Sequence, residues 1–259
     1  MTTPFNLESY LSHSGKVDLT DIVFDDAAKY PLTPEEIRCL TYMMDIETHT
    51  IVYLRGILNT CAVENPRITA FLSCWAYEEY FHGQALWQFL QACGVPVDPE
   101  RFKEVQKNRS FREWLEDIGA SLLCKVTKHF HSAYLTWGAI NELSTLEGYG
   151  ALIRKTNNPI LAEILKRIIR DERKHFSFYY GEARNYLQHP GAQRLTAFLL
   201  KRLWTPVGSG VKPDSEVEWI MNFIFGEEGG RQTTQNIDAA IAKLPGLGWF
   251  DLVTKMRDR

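Results

Sequence analysis

Two short stretches place a carboxylate and an imidazole three residues apart. Glu79 and His82 stand in Ala76-Tyr77-Glu78-Glu79-Tyr80-Phe81-His82-Gly83, and Glu172 and His175 in Arg170-Asp171-Glu172-Arg173-Lys174-His175-Phe176. On a helix, that spacing leaves the two side chains of a pair about 60° apart on one face and one turn along the axis. A Glu and a His held in this way can reach the same metal ion. Two such pairs, with one Glu from each of two further helices, form the donor set of a carboxylate-bridged dimetal centre in a four-helix bundle.

The two remaining carboxylates can be sought by register. Glu47 falls in step with the apolar positions Leu40, Met43, Met44, Ile51 and Leu54, which puts it on the buried face of its helix. Asp45 and His49, two residues to either side and rotated by about 200°, are expected to face outward. Glu142 shares a face with Leu135, Gly138, Ala139, Thr145 and Tyr149, while Glu147 is about 140° away and is the lesser candidate. The expected metal ligands are therefore Glu47, Glu79, His82, Glu142, Glu172 and His175. Four carboxylates neutralise two divalent cations, and an oxygen and imidazole donor set suits iron or manganese rather than a structural zinc site. The same cluster without metal would suffer mutual repulsion and desolvation.

One Glu-x-x-His by itself is most often a solvated helix turn. Two copies on long amphipathic segments, each partnered by an in-register glutamate, are much harder to reach by chance.

The elements that must position these residues read as helices throughout. Residues 1–32 form an arm with one short helix near Asn6–Ser12. Thr33-Pro34-Glu35-Glu36 is a helix start with a cap, a first-turn proline and a capping-box glutamate, and the helix is expected to run to about Ala62. Asn65-Pro66 starts a second helix to about Ala92, where Gly94 and Pro96 stop it. An irregular segment begins at Asp98-Pro99-Glu100-Arg101. A third helix covers roughly Leu115 to Lys155, kinked or divided, and a fourth runs from Asn158 to about Gln188. Ala192–Leu203 reads as helix, Trp204–Pro213 as loop, and one or two further helices follow Ser215, broken at Leu244–Gly248. No strand alternation appears. The expected fold is all-α: a ferritin-like four-helix bundle over 33–190 with a C-terminal helical extension, 191–259, packed on it as one domain.

Bulk numbers narrow the function classes. The chain has 259 residues, 45% hydrophobic and 24% charged, with net charge -3, which argues against nucleic acid as partner. Its five cysteines (Cys39, Cys61, Cys74, Cys93, Cys124) show no paired spacing, which suits free thiols in a reducing compartment. The start lacks a basic stretch followed by an apolar run, and no apolar stretch is long enough to span a membrane, so a cytoplasmic protein is expected.

At the ligand residues the sequence resembles the ferritin-like di-iron oxygen-activating proteins, and among them most closely the soluble acyl-carrier-protein desaturases. Trp75-Ala76-Tyr77-Glu78-Glu79-Tyr80-Phe81-His82-Gly83 is similar to that family's W-x-x-E-E-N-R-H-G, and Asp171-Glu172-Arg173-Lys174-His175 to its D-E-K-R-H. Glu142-Leu143-Ser144-Thr145 is similar to its third ligand helix, and Tyr53, six residues past Glu47, fits its first. Tyr80, Phe81 and Phe176 stand where the family has Asn, Arg and an acidic residue. Radical-bearing ribonucleotide reductase subunits begin with an aspartate ligand and place a tyrosine four residues after the first histidine. Glu47 and Leu86 at those positions argue against a stable tyrosyl radical.

The resemblance implies two iron ions, or manganese in their place, and O2-dependent desaturation or hydroxylation of an acyl-type or other largely apolar substrate, free or carrier-protein bound. It implies Thr145 beside the oxygen-binding position, Asp171 as acceptor for a ligand imidazole N–H, and Trp75 joining it in an electron path. No nucleotide-binding glycine motif is present, so electrons are expected from a ferredoxin or reductase, and the assembly is expected to be a homodimer. Aldehyde deformylation, N-oxygenation and a non-enzymatic ferritin-like metal-binding role share the ligand logic. Gly138, Leu135, Met43, Met44 and Leu86 are candidates for an apolar channel against the plainer reading as core. His131 reads as a packed histidine. The cations Lys166, Arg167, Arg170, Arg173 and Lys174 form either a dock for an acidic carrier or a solvated face. The aromatics Phe176, Phe178, Tyr179 and Tyr180 are expected to pack the bundle end or a subunit interface.

Overall fold

Capping chemistry sets where the helices begin in the computed structural model, which describes residues 5–98, 100–107 and 110–258. The first four residues of the arm, and Pro99 in the irregular segment, lie outside the described residues. Helix α1 (Leu7–His13) starts at Asn6, whose side chain accepts from Ser9 N. α2 (Pro34–Leu58) carries the full capping box: Glu36 N donates to Thr33 Oγ1 at 3.1 Å and Thr33 N to Glu36 Oε2 at 2.8 Å. Asn65 opens α3 (Pro66–Ala92) and Asn158 opens α7 (Pro159–Tyr186), each accepting two backbone N–H bonds ahead of a first-turn proline.

Between them lie α4 (Arg101–Lys107), α5 (Phe111–Val126) and α6 (Phe130–Lys155). The expected third helix is thus divided, at Thr127, whose backbone is extended and whose hydroxyl accepts from His129 N. α2 ends earlier than expected, and a short 3-10 turn (Cys61–Glu64) completes the connection. α8 (Pro190–Leu203) is followed by α9 (Asp214–Phe225), α10 (Glu228–Ile241) and α11 (Leu252–Arg257), one helix more than the most expected after Ser215.

Short connections make α2 with α3, and α6 with α7, antiparallel pairs, and these are the most extensive helix contacts of the molecule. One long crossover, 93–129, carries α4 and α5 between them. That is the connectivity of a ferritin-like bundle, and no strand occurs among the described residues. Leu40 and Met44 of α2, Phe71 and Leu86 of α3, Leu135 and Ile140 of α6, and Ile164 and Phe178 of α7 are fully buried in its core. α8, α9 and α10 lie against α6, and no helix is long and apolar enough to cross a membrane among the described residues.

Two residues expected to face solvent are buried instead. Asp45 is 1% exposed and His49 4%. Arg101 of α4 donates to both Asp45 oxygens at 2.7 Å, and Lys212, from the loop before α9, bonds Oδ2 as well. His49 Nε2 lies 2.5 Å from Glu113 Oε1 and Nδ1 3.1 Å from Val105 O. The crossover and the 204–213 loop cover the face of α2 that turns away from the bundle. Such buried charges persist only when paired.

Part of the basic side of α7 is likewise engaged. The Arg167 guanidinium donates to Glu163 and to both oxygens of Asp21 in the arm, and Lys174 to Asp171 at 2.7 Å. Phe178 and Tyr179 are buried in the bundle while Phe176 and Tyr180 are half-buried. His131 stacks on Tyr186, with centroids 5.2 Å apart.

Candidate metal centre

The six expected ligands converge from four helices. Glu47 of α2, Glu79 and His82 of α3, and Glu172 of α7 offer donor atoms within 4.8 Å of one another; so do Glu79, Glu142, Glu172 and His175. The two groups share Glu79 and Glu172. That overlap is the arrangement of two adjacent cation positions with two carboxylates able to bridge them. None of the six is more than 6% exposed, and Glu172, His82 and His175 are at 0%. Glu147 is half-buried and belongs to neither group.

Three buried atoms of the cluster have no hydrogen bond of acceptable geometry among the described residues: Glu79 Oε1, Glu172 Oε1 and His82 Nδ1. His82 Nδ1 lies 3.3 Å from Glu172 Oε1, and His175 Nδ1 lies 3.0 Å from Glu79 Oε1 and 3.4 Å from Glu172 Oε2. Buried lone pairs left unused in this way are costly unless a cation takes them. The donor set fits two divalent ions of the iron or manganese kind.

Electrostatics agrees with the geometry. Burial raises the carboxyls of Glu79 and Glu142, to about 7 and about 8, with the Glu172 charge adding to it. Burial and the Glu79 charge push Glu47 well above the ordinary range. Glu172 goes the other way. Burial would raise it, but hydrogen bonds from His175 and His82 outweigh that and hold it well below a usual carboxyl. Burial would also lower His82, yet Asp171 and Glu172 raise it to about 10, and His175 is raised by Glu142, Glu172, Glu78 and Glu79. Protons stand in for cations here: the cluster takes up positive charge however it can.

Each imidazole has a carboxylate behind it. His82 Nε2 is 3.5 Å from Asp171 Oδ2, the residue that the resemblance implied as acceptor for one or other ligand imidazole. His175 Nε2 is 2.8 Å from Glu78 Oε2, a partner that the sequence reading missed. The signal was present, since Glu78 precedes Glu79 just as Asp171 precedes Glu172. Such partners fix the ring tautomer and leave the other nitrogen for a metal. Tyr149, which the register placed on the Glu142 face, is fully buried and its hydroxyl donates to Glu47 Oε1.

Trp75 is 6% exposed; its ring neighbours are Tyr53, at 6.1 Å, and Tyr179, at 5.9 Å, and its indole N–H has no partner among the described residues. Thr145 is half-buried one turn beyond Glu142. Ser144 bonds Ile140 O at 2.8 Å, but the Thr145 hydroxyl makes no such bond among the described residues.

Close helix approach depends on two glycines. A Cβ on Gly83, directly after His82, would meet Thr48 Oγ1 of α2 at 2.9 Å. A Cβ on Gly138 would meet Tyr179 Cε1 at 2.5 Å and Cδ1 nearer still. Leu135, Met44 and Leu86 are at most 1% exposed and Tyr179 fills the space at Gly138, which accords with the plainer reading of this stripe as packed core. Gly138→Ala is expected to destabilise the protein by about 1–2 kcal/mol in urea unfolding. On an open helix face the same change would stabilise by up to roughly 1 kcal/mol, so the sign alone checks the packing.

No protein-family model and no curated protein matches the chain in sequence. Among solved structures it is similar to a variant of an R2-like ligand-binding oxidase with an anaerobically reconstituted Mn/Fe cofactor. The likeness covers 97% of this chain and 92% of that one at 18% identity and a TM-score of 0.61. At that identity it shows the fold: a ferritin-like helical bundle.

Proposed function

We propose that the chain is a dimetal-carboxylate oxidoreductase that uses O2 and external electrons to desaturate or hydroxylate an acyl-type or other largely apolar substrate. The observation that carries this is the pair of overlapping donor groups sharing Glu79 and Glu172. Glu47 and His82 would hold one ion, Glu142 and His175 the other, with iron in both positions or manganese in one, as in the Mn/Fe oxidase of like fold. When bound, the metals would supply the redox-active position at which O2, the oxidant, is activated with electrons passed on from the external donor.

The chain's own residues do the rest. Asp171 and Glu78 keep Nδ1 of each imidazole turned inward, and Tyr149 holds Glu47 in place. The buried apolar shell of Leu86, Leu135 and Ile168 excludes water. The unengaged Thr145 hydroxyl can deliver or accept a proton at Oγ1, and Trp75 is the reading's electron relay. An apolar substrate is supported by a groove of ≈ 830 Å³ between α2 and the crossover. Ile51, Val52, Leu54 and Leu58 line its apolar part, beginning one turn past Glu47, and Arg55, Asn59, Gln106 and Asp117 its polar part. A carrier-bound acyl chain and a separate ferredoxin or reductase belong to the same reading. So does a homodimer, supported by the exposed side chains of Leu115, Ile118 and Leu122 along α5. Five free cysteines suit a cytoplasmic setting.

The test is metal content after anaerobic iron(II) reconstitution, followed by O2 uptake with a chemical reductant and a panel of acyl substrates. About two irons per chain and substrate-dependent uptake are expected. Two irons with silence across the panel would favour a ferritin-like metal-binding protein. Products of aldehyde or amine oxidation would move the substrate class. Absence of bound iron and manganese would end the oxidase reading.

A further inference from the structure

The two imidazoles of the centre are supported differently, and the difference comes from the N-terminal arm. Glu78 is 1% exposed, and its carboxylate receives three donors. His175 Nε2 donates to Oε2 at 2.8 Å, the Tyr10 hydroxyl donates to the same oxygen at 2.6 Å, and Gly15 N reaches Oε1 at 3.4 Å. Two of these three come from the arm. On the other side, Asp171 stands behind His82 with Lys174 of its own helix as partner, at 2.7 Å, and receives nothing from the described residues of the arm.

The chemistry of the triad has one consistent assignment. A buried carboxylate only accepts, so both the phenol and the His175 Nε2 must present hydrogens to it. Burial, with the nearby Glu78 charge, keeps the phenol protonated far beyond its usual range, so it remains a donor. Nε2–H is thereby fixed, and Nδ1 is the nitrogen turned to the cluster, where a metal would take its lone pair in place of a proton; it lies 3.0 Å from Glu79 Oε1, 3.4 Å from Glu172 Oε2 and 3.7 Å from Glu142 Oε2. Tyr10 is itself held: its ring packs on Phe5 at 5.6 Å, on Phe71 at 5.3 Å and edge-on to His175 at 6.4 Å. Arg67 pins the arm by donating to Phe5 O at 3.1 Å.

We propose that Tyr10 is a positioning residue for the metal centre, acting through Glu78 to orient His175, so that the arm sets the affinity of the Glu142–His175 position and leaves the Glu47–His82 position untouched. The inference rests on the dimetal reading above. Its consequence is that the two positions are chemically unequal, and that ordering of the arm is coupled to filling of one of them.

The experiment is a Mn(II) titration of the full-length, metal-free protein followed by EPR, on wild type, Tyr10→Phe and Asp171→Asn. Tyr10→Phe keeps the ring packing and removes only the hydroxyl. Direct outer partners of a ligand histidine typically change metal affinity by roughly 10–100-fold, so one step further out a loss of about 3–10-fold is expected. It should fall on one of two binding steps, with an altered EPR signature of the doubly loaded form, while Asp171→Asn weakens the other step. A Tyr10→Phe protein with wild-type constants and spectrum overturns the inference while the dimetal centre stands. So does equal weakening of both steps, which is what a merely structural arm would give. Wild type that takes up no metal overturns both.

Discussion

Glu172→Ala is expected to reduce bound iron from about two per chain to well below one, and to abolish reductant-driven O2 uptake. Glu172 belongs to both donor groups, is wholly buried, and approaches the two imidazoles within 3.3 and 3.4 Å. Removing it takes one carboxylate from each cation position at once and leaves three acidic residues for two divalent ions. Even residues that only touch a ligand change affinity by roughly 10–100-fold; loss of a shared carboxylate should exceed that, which at about 1.4 kcal/mol per tenfold means more than about 3 kcal/mol across the two positions. Glu147→Ala is the matched control. It removes a carboxylate from α6 that belongs to neither group, and it should keep both metals. Elemental analysis of desalted protein reads both variants. If Glu172→Ala retains two ions, the shared-carboxylate assignment is wrong.

The convergence of these six side chains was readable because helical periodicity links residues that must share a face. Glu79 with His82, and Glu172 with His175, need no knowledge of any other helix. Glu47 and Glu142 needed only the register of apolar neighbours, and all four segments converge as that register requires. Helix starts were equally legible, since Thr33, Asn65 and Asn158 announce themselves by local capping chemistry.

What stayed hidden depends on segments distant in the chain. Asp45 and His49 look solvent-facing when α2 is taken alone, and only Arg101, Lys212 and Glu113, brought in by the crossover and the 204–213 loop, make that face an interior one. Tyr10 sits in an arm with weak periodicity, 68 residues from the carboxylate it bonds. Gly138 and its neighbours suggested a channel because an apolar stripe does not say what fills the space beside it, and Tyr179 fills it. The substrate belongs to the same class of hidden information: grooves are made by pairs of elements, and residue types alone do not show their shape.

Without metal, the protein is expected to lose stability as pH rises from 5 to 8, and with Mn(II) or Fe(II) that loss should disappear. Glu79 and Glu142 titrate at about 7 and about 8 in the folded chain, and Glu47 well above its usual range, against an ordinary carboxyl near 4.5. Between those limits the native state holds more protons than the unfolded one, so the slope of unfolding free energy with pH is negative. His82, raised to about 10, and His175, raised further, act in the same direction, their contribution being complete below pH 6.5 and lost as pH climbs toward the folded values. The carboxyls held low, Glu172, Glu78, Asp171 and Glu113, have already made their contribution by pH 5. His131, lowered by burial, opposes the trend only below its usual value.

One proton's difference costs about 1.4 kcal/mol per pH unit, so a single proton held across the three-unit window is worth about 4 kcal/mol, and a net loss of at least that size is expected, about 8–16 °C in Tm for a chain of this size. A divalent ion replaces those protons and needs the carboxylates ionised, so the Tm gain on adding metal should be small at pH 5 and largest at pH 8. Calorimetry of metal-free and Mn(II)-loaded protein at four pH values decides it. A metal-free Tm that is flat or rises toward pH 8 would mean that the four carboxylates do not crowd one another as this structure has them. Six aligned side chains would then be a packing coincidence and not a site.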